Sequence, residues 1–249
     1  MYSLGIDSGS TTTKGILFDG ENIVKKIIIP TSASPHKTIL KLYEELHDAE
    51  VGYTVTTGYG RNLLEYTDKQ ITEITCHAKG AAYLYPEATA VIDIGGQDSK
   101  AILLDEDKNV IEFLMNDKCA AGTGRFVDVI MRLLEEDIAN IDDFVKDKSP
   151  AKISSMCTVF AESEVISLLA KGEERGNIAL GIIESICKRT AIFAQKLNIE
   201  GDVFFSGGLS NFEVFNRTLE KYLEKPVKSH PLGQFNGAIG AAILAYKNI

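Results

Sequence analysis

The sequence predicts an α/β protein built from two similar halves that face each other. The first observation is a repeated unit: an Asp-ended strand, a turn of small residues and a returning strand run from Asp7 to Lys14 and again from Asp93 to Lys100. A supersecondary unit that recurs within one chain indicates duplicated domains. The second observation is that strand-like and helical segments both recur along the 249 residues, as in folds that pack helices on sheets.

Each repeat begins with three strands joined by short turns, and Asp19-Gly20 supplies a hairpin turn in the first one. A helix begins at Ser34-Pro35, because proline suits the first helical turn, and continues to Leu46. Strands are predicted at Tyr2–Ile6, Lys14–Phe18, Asn22–Ile29, Ala90–Ile94, Lys100–Leu104, Val110–Met115, Val203–Phe205 and Val227–Ser229. The later helices are predicted at Thr123–Glu136, Thr158–Lys171, Asn177–Leu197 and Phe212–Leu223, and in a closing segment through Tyr246.

Composition narrows the class of protein. The formal net charge of −9, without a stripe of Lys and Arg, argues against binding to nucleic acid. The chain has no run of 18 apolar residues, and Met1 leads directly into a strand-like segment. We therefore expect a cytoplasmic protein that does not bind a membrane.

The two repeated turns have the composition of phosphate-binding loops. Glycine lets a phosphate approach the backbone closely, and exposed backbone N–H groups form an anion nest. Asp7 and Asp93 carry the same sign of charge as phosphate, so we expect them to hold Mg²⁺ through its waters. The alternative is a pair of ordinary hairpin turns, which the duplication makes the weaker interpretation. The candidate nucleotide contacts are Ser10, Thr11, Thr12, Thr13 and Lys14 in the first turn and Gly95, Gly96, Gln97 and Asp98 in the second.

A third segment, Phe204 to Gly208, places an apolar strand before a glycine pair and a helix. Gly207 and Gly208 would let the chain pass flat against an adenosine or its α-phosphate. Alone this signal is weak, but it gains weight because it follows the two turns. The chain lacks GxxxxGK[ST], which excludes a P-loop, and its strand turns lack GxGxxG.

In these three segments the sequence resembles the ASKHA superfamily of acetate and sugar kinases, Hsp70 and actin. The resemblance implies two duplicated actin/Hsp70-like, RNase H-like domains with ATP or ADP and Mg²⁺ between them. We place the first domain at residues 1–80, completed by a C-terminal helix at 233–249, and the second at 81–232. Further nucleotide contacts are predicted at Gly122, Gly124 and Gln234.

Two of the four cysteines lie immediately before predicted helices. Cys119 stands in NDKCAAGTGRF and Cys157 in SSMCTVFAE. A helix N-terminus favours a thiolate and also an anionic metal–sulfur cluster. From the residues alone, Cys119 and Cys157 could equally well be buried thiols without a functional role. Cys187 lies on the apolar stripe of a helix and is assigned to the core, and Cys76 and His77 are also interpreted as structural.

The strings NDKCAAGTGRF, SSMCTVFAESEV, VIDIGGQDSK, TGYGRN and QFNGAIGAA resemble the activators, or component A, of the 2-hydroxyacyl-CoA dehydratases, whose family also contains ATPase subunits of benzoyl-CoA reductase. That resemblance covers nearly the whole chain. It implies a homodimer with one oxygen-sensitive 4Fe-4S cluster, bound by Cys119 and Cys157 of each copy. It also implies a ferredoxin or flavodoxin as electron source, and ATP hydrolysis that drives one electron into a dehydratase, an aromatic-ring reductase or a double-cubane cluster protein.

The resulting hypothesis gives catalytic roles to Asp7, Asp93 and Gln97, with Gln97 or Asp98 orienting the attacking water. Two other functions remain open from the residues. A sugar or N-acetylhexosamine kinase would use the same cleft and would not need Cys119 or Cys157. A nucleotide-dependent regulator without redox activity would tolerate serine at both cysteines.

Overall fold

The computed structural model describes residues 1–116, 123–154 and 158–249, with only the backbone at 158 and 159. The strands are β1 (Tyr2–Ser8), β2 (Thr12–Phe18), β3 (Ile23–Pro30), β4 (Val51–Thr57), β5 (Lys69–Gln70), β6 (Ala90–Ile94), β7 (Ser99–Leu104), β8 (Val110–Asn116), β9 (Val203–Gly207) and β10 (Val227–Lys228). The helices are α1 (Pro35–Leu46), α2 (Glu73–Leu84), α3 (Gly124–Leu133), α4 (Ile141–Phe144), α5 (Thr158–Ala170), α6 (Arg175–Ala194), α7 (Glu213–Leu223) and α8 (Asn236–Tyr246).

The ten strands form two five-stranded sheets with the same topology. The first has the order β3-β2-β1-β4-β5, and the second, followed from its opposite edge, has the order β8-β7-β6-β9-β10. In each sheet the first three strands pair antiparallel and the last two join in parallel. The predicted duplicated α/β fold is therefore confirmed, and the duplication includes all five strands rather than the first three.

The register within the sheets repeats as well. Asp7 pairs with Lys14 across β1 and β2, and Asp93 pairs with Lys100 across β6 and β7. Because side chains alternate between the two faces of a strand, equal register brings each Asp–Lys pair to the same face of its own sheet. The two phosphate-loop candidates thus occupy equivalent positions.

The parallel neighbours extend this correspondence. Thr57 lies opposite Asp7, and Ser206 lies opposite Asp93. Each is followed by a glycine in the left-handed region, Gly58 with φ +89° and Gly207 with φ +93°. A side chain at either position would be strained. The glycine turn after β9 therefore has a counterpart after β4, which the sequence analysis did not identify.

Two helices, α2 and α8, fill the layer between the sheets. On one side α8 contacts β1 so closely that a methyl group at Gly5 would overlap the carbonyl oxygen of Ala238. On the other side it contacts α2, where a methyl group at Gly240 would overlap the carbonyl oxygen of Cys76. The opposite face of α2 packs against the second sheet through Ala78 and Ala81. Both sheets are thereby joined through α2 and α8.

The largest core lies on the other face of the second sheet. It unites β6 and β9 with α3, α5, α6 and α7, with Phe126 from α3, Val165 from α5 and Ile182 from α6 among its buried members. This core positions the N-termini of α3 and α5 relative to the second sheet.

Several predicted boundaries differ from those observed. The helix predicted at Thr123–Glu136 ends at Leu133, and Glu135 adopts a left-handed conformation with φ +52°. The helix predicted at Asn177–Leu197 begins at Arg175 and ends at Ala194. A 3-10 turn at Gly233–Phe235 precedes α8. The domain limits of 1–80 with 233–249, and 81–232, stay a prediction.

Candidate active site in the cleft between the sheets

A cleft of about 700 Å³ lies between the two sheets, within the size range of small-molecule sites. The turn after β1 and the turn after β6 face each other across it, and the glycine turn after β9 forms part of its wall. Fourteen of the predicted contacts line this cleft: Asp7, Ser10, Thr11, Thr12, Lys14, Asp93, Gly95, Gly96, Gln97, Asp98, Gly124, Gly207, Gly208 and Gln234.

Asp93 is the buried carboxylate at the end of β6. Its Oδ1 accepts a hydrogen bond of 2.7 Å from the Ser206 hydroxyl and lies 3.6 Å from His77 Nδ1, and its Oδ2 lies 3.5 Å from Lys100 Nζ. Burial alone would raise the pKa of Asp93, but His77, Lys100 and Ser206 outweigh it and lower that pKa to about 2. The carboxylate is therefore ionised at neutral pH and available to a cation.

Lys100 is the buried cation beside it. Its Nζ lies 2.8 Å from Glu73 Oε2 and 2.7 Å from Asp98 Oδ2. Burial would lower the pKa of Lys100, but Asp93, Glu73 and Asp98 outweigh that effect and raise it. Lys100 thus ties the second turn, through Asp98, to the first turn of α2, through Glu73.

Asp7 occupies the equivalent position in the first sheet. Its Oδ2 lies 3.4 Å from Lys14 Nζ. A methyl group at Gly58 would lie 2.6 Å from Asp7 Oδ1, so the glycine turn after β4 leaves the room this carboxylate occupies. Arg61 lies in the loop after β4 and lines the cleft. Its Nη1 donates a hydrogen bond of 3.2 Å to the Gly58 carbonyl.

The two phosphate-loop turns touch each other. A methyl group at Gly96 would overlap Thr11 Oγ1, and it would lie 3.3 Å from Ser10 Oγ. Within the described ranges, Thr11 Oγ1 is buried without a hydrogen-bond partner. A buried hydroxyl without a partner is costly, and a phosphate oxygen at this place would satisfy it. The turns therefore suit an anionic ligand held between glycine backbone and hydroxyl groups.

Thr13, predicted as a nucleotide contact, does not line the cleft. It is fully buried within β2, and its hydroxyl is 3.0 Å from the hydroxyl of Thr31. The reason is strand alternation, since Thr12 and Lys14 project to one face and Thr13 to the other. Gly122, Cys119 and Cys157 lie outside the described residues.

The second turn is hydrogen-bonded directly to α3. The backbone N–H of Gly124 donates to the Gly95 carbonyl at 2.8 Å, and that of Arg125 donates to the Gly96 carbonyl at 3.2 Å. These are the first two residues of α3, whose free N–H groups need acceptors. The turn and the start of α3 are therefore joined by backbone hydrogen bonds.

Sequence reasoning missed several cleft residues. His77, assigned to a structural role, is buried on the cleft floor beside Asp93. Glu73, Lys100, Arg61 and Arg125 also line the cleft. Lys100 carried a signal because it repeats the position of Lys14, and Arg61 and Arg125 lie in the family strings TGYGRN and NDKCAAGTGRF. Glu73 and His77 come from α2, which tertiary packing brings to the cleft.

The described residues include two cysteines and also bear on the presence of metal sites and membrane-spanning helices. Cys76 and Cys187 are free and buried, and burial raises the pKa of Cys76 to about 12 and raises that of Cys187 as well. Among the described residues, no group of three or more His, Cys, Asp or Glu side chains has the arrangement of a metal site. No described helix is long and apolar enough to cross a bilayer.

Comparison with known proteins shows the family of this chain. The uncharacterized protein YjiL of Escherichia coli is 48% identical over 248 residues, which cover 99% of this chain and 97% of YjiL. The (R)-2-hydroxyglutaryl-CoA dehydratase activating ATPase of Acidaminococcus fermentans is 44% identical over 255 residues, 99% of this chain and 98% of that protein.

Solved structures agree with the sequence relatives. The activator of the 2-hydroxyisocaproyl-CoA dehydratase from Clostridium difficile, with bound ADPNP, has a TM-score of 0.93 at 38% identity, covering 100% of this chain and 95% of that one. A ROK family glucokinase from Streptomyces griseus reaches 0.61 at 14% identity, covering 99% of this chain and 100% of that one, which shows a common fold only. The defining pattern of one family matches residues 4–245. This chain belongs to the BadF/BadG/BcrA/BcrD ATPase family.

Proposed function

We propose that this ATPase activates a 2-hydroxyacyl-CoA dehydratase as an ATP-driven one-electron donor, with a 4Fe-4S cluster shared by two copies of the chain. The observation that carries the proposal is the pair of hydrogen bonds from the N-terminus of α3 to the turn at Gly95 and Gly96. Cys119 lies five residues before Gly124 (124 − 119). Several relatives of this chain that carry a functional name are dehydratase activators, which supports the same conclusion.

The cleft residues fit a magnesium nucleotide. Thr11 and Ser10 donate to phosphate oxygens from the first turn, and the backbone at Gly95 and Gly96 meets them from the second. Asp7 and Asp93 would hold Mg²⁺, because this ion prefers oxygen ligands and usually keeps several of its waters. Gln97 or Asp98, at the end of the second turn, orients the attacking water.

The coupling runs through the second sheet and its helices. When γ-phosphate occupies the two turns, Gly95 and Gly96 move with it and carry the N-terminus of α3. Helix α5, which begins directly after Cys157, packs in the same core as α3 through Val165. Helices α3 and α5 therefore respond to the cleft together. Nucleotide binding can shift α3 and α5 only if the nucleotide binds one arrangement of these helices more tightly than the other.

Two copies of the chain complete the metal site. A 4Fe-4S cluster takes four thiolates, and Cys119 and Cys157 supply two. Near the start of α5, Phe160 is 67% exposed and Ile166, on the same helix, is 55% exposed. Exposed apolar side chains on α5 suit a protein interface, and a two-fold symmetric pair of chains would supply the four thiolates.

A bound cluster would supply a low-potential electron, with a ferredoxin or flavodoxin as the electron source. The chain's own part is to bind the nucleotide, to change the setting of α3 and α5, and to present Cys119 and Cys157 to the acceptor. The acceptor is a dehydratase component. An enzyme of the benzoyl-CoA reductase type is the related alternative, because one of the subunits of the benzoyl-CoA reductase of Thauera aromatica is also a relative of this chain.

The test is iron content and oligomeric state after anaerobic purification and reconstitution with iron and sulfide. We expect native mass spectrometry to show a dimer with about four irons per two chains. Cys119→Ser and Cys157→Ser should each lose the iron and still bind ADP, because the described lining of the cleft already comes from the two turns. Cys187→Ala is the matched control, since this buried thiol lies in the helical core, and it should retain the iron.

Serine variants that keep a full complement of iron would contradict the assignment of the ligands. A wild-type protein that is monomeric and iron-free, and that transfers phosphate from ATP to a sugar, would favour the kinase function of the same fold instead.

A further inference from the structure

Arg61 is a cation of the cleft whose charge is not offset by a neighbouring carboxylate in the described part of the chain. The lysines and arginines that line the cleft there are Lys14, Lys100, Arg61 and Arg125. Both lysines pair with the Asp of their own hairpin, and Lys100 has two further carboxylate partners. Burial raises the pKa of Asp128, and Arg132 and Arg125 partly offset that effect, so Arg125 faces a carboxylate on its own helix.

The guanidinium of Arg61 has donors to spare. A guanidinium carries five N–H donors. Within the described ranges, its one hydrogen bond runs from Nη1 to the Gly58 carbonyl at 3.2 Å, and it takes part in no ion pair. It is thus anchored on one side and can still bind an anion, and its planar fork matches two oxygens of a phosphate.

The backbone around Arg61 is fastened to the first sheet. The Gly60 N–H donates to the Ser8 carbonyl at 2.9 Å, and a methyl group at Gly60 would overlap Ser8 Oγ. The Thr56 hydroxyl donates to the Arg61 carbonyl at 2.9 Å. The loop after β4 therefore has a fixed position relative to the end of β1, where the first phosphate-loop turn begins.

The two sheets are related by an approximate two-fold rotation. Helix α2 follows the fifth strand of the first sheet and packs on the second sheet, whereas α8 follows the fifth strand of the second sheet and packs on the first. Because β1 and β6 both end at the cleft, the rotation axis runs roughly along these strands and reverses the strand order of one sheet relative to the other. The turns after β4 and β9 therefore lie at opposite ends of the pair of phosphate-loop turns.

This arrangement gives the nucleotide a direction. The nucleotide contacts proposed at Gly207 and Gly208 put the adenosine at the turn after β9, and the two phosphate-loop turns hold the phosphates beside it. The terminal phosphate then points to the other end of the cleft, where the loop after β4 lies. We propose that Arg61 is a catalytic residue that binds the γ-phosphate of ATP. The inference rests on the proposed function, because it takes the placement of the nucleotide from it.

The hydrolysis step shows what Arg61 would contribute. The oxygen of the attacking water forms a bond to the γ-phosphorus, and the bond from that phosphorus to the bridging oxygen breaks with its electron pair left on ADP. The proton that the water gives up passes to the released phosphate. Charge spreads over the three equatorial oxygens of the transferred group, and a guanidinium there stabilises it. Because ADP lacks this group, Arg61 also distinguishes ATP from ADP.

Three variants test the assignment. Arg61→Gln removes the charge and keeps an amide N–H donor in the side chain. Arg61→Lys keeps the charge and loses the planar fork. Arg217→Gln is the matched control, because Arg217 is exposed, pairs with Glu213 on α7 and does not belong to the described lining of the cleft.

The measurements are steady-state ATP hydrolysis and calorimetric titration with Mg·ADP and with a non-hydrolysable Mg·ATP analogue. For Arg61→Gln we expect kcat to fall about a thousandfold, as for other arginines that neutralise a transferred phosphoryl group. The affinity for the ATP analogue should fall roughly tenfold, as loss of a hydrogen bond to a charged group implies, and the affinity for ADP should stay that of the wild type. Arg61→Lys should lie between the two, and Arg217→Gln should match the wild type throughout.

Wild-type kcat in Arg61→Gln would overturn the inference. An equal loss of affinity for ADP and for the ATP analogue would overturn it as well, since Arg61 would then act on the whole cleft rather than on the γ-phosphate. Should Arg61→Gln not fold, Arg61→Lys decides, and full turnover in that variant would count against the assignment. A wild-type protein without iron, in which the Arg61 variants behave as expected, would contradict the proposed electron transfer and leave the role of Arg61 intact.

Discussion

Asp93→Asn should lose ATP turnover by at least about a thousandfold, because a metal-held carboxylate contributes several kcal/mol of charge stabilisation in phosphoryl transfer. Asparagine has nearly the same shape, so the hydrogen bond from Ser206 and the packing at the end of β6 remain possible. What disappears is a negative charge that Lys100, His77 and Ser206 keep ionised at neutral pH. The initial rate of phosphate release under saturating ATP and Mg²⁺ is the measurement.

The matched control is Asp105→Asn. Asp105 lies in the turn between β7 and β8, where its carboxylate accepts a hydrogen bond from the Asn109 N–H at 2.7 Å and does not line the cleft. This variant should hydrolyse ATP at the wild-type rate. Equal rates for Asp93→Asn and the wild type would remove Asp93 from the catalytic site, and iron content should be the same in all three proteins.

Gly96→Ala should reduce ATP turnover by between about fivefold and about 150-fold, the range that overpacking costs of about 1–3 kcal/mol imply. The added methyl group would overlap Thr11 Oγ1, so the two turns could no longer close on each other as they do here. Because the clash involves one named side chain, Thr11→Gly in the same protein should recover part of the lost turnover. The comparison is a double-mutant cycle on the ATPase rate.

Additive effects of Gly96→Ala and Thr11→Gly would show that the two turns do not meet during turnover. An undiminished rate in Gly96→Ala would contradict the closed arrangement more directly. Thermal unfolding of each variant separates a local effect on the cleft from a loss of global stability.

The repeated Asp-turn-Lys unit made the fold predictable. Its spacing and turn composition are local properties of the chain, and they located the strand Ala90–Ile94 with its observed limits. The correspondence of Gly58 with Gly207 was not predictable in the same way. Helices α3 to α6 lie between β6 and β9 in the chain. The fourth and fifth strands of the second sheet therefore do not follow those of the first sheet at the constant sequence spacing that relates the first three strands.

The cleft was predicted less completely than the fold. Thr13 was included because the predicted strand began at Lys14, whereas β2 begins at Thr12 and its alternation turns Thr13 away from the cleft. His77 was interpreted as structural because its meaning depends on three segments that pack together only in the folded chain: α2, the end of β6 and the start of α8. Contacts of that kind leave no periodic signal.

The central claim is that nucleotide in the cleft changes the setting of a metal centre held by Cys119 and Cys157. The most direct test is the electron paramagnetic resonance spectrum of the anaerobically reduced protein, recorded with Mg·ADP and with a non-hydrolysable Mg·ATP analogue. The account predicts an iron–sulfur signal whose shape differs between the two nucleotides. Identical spectra in a protein that binds both nucleotides, or the absence of any cluster signal, would contradict it.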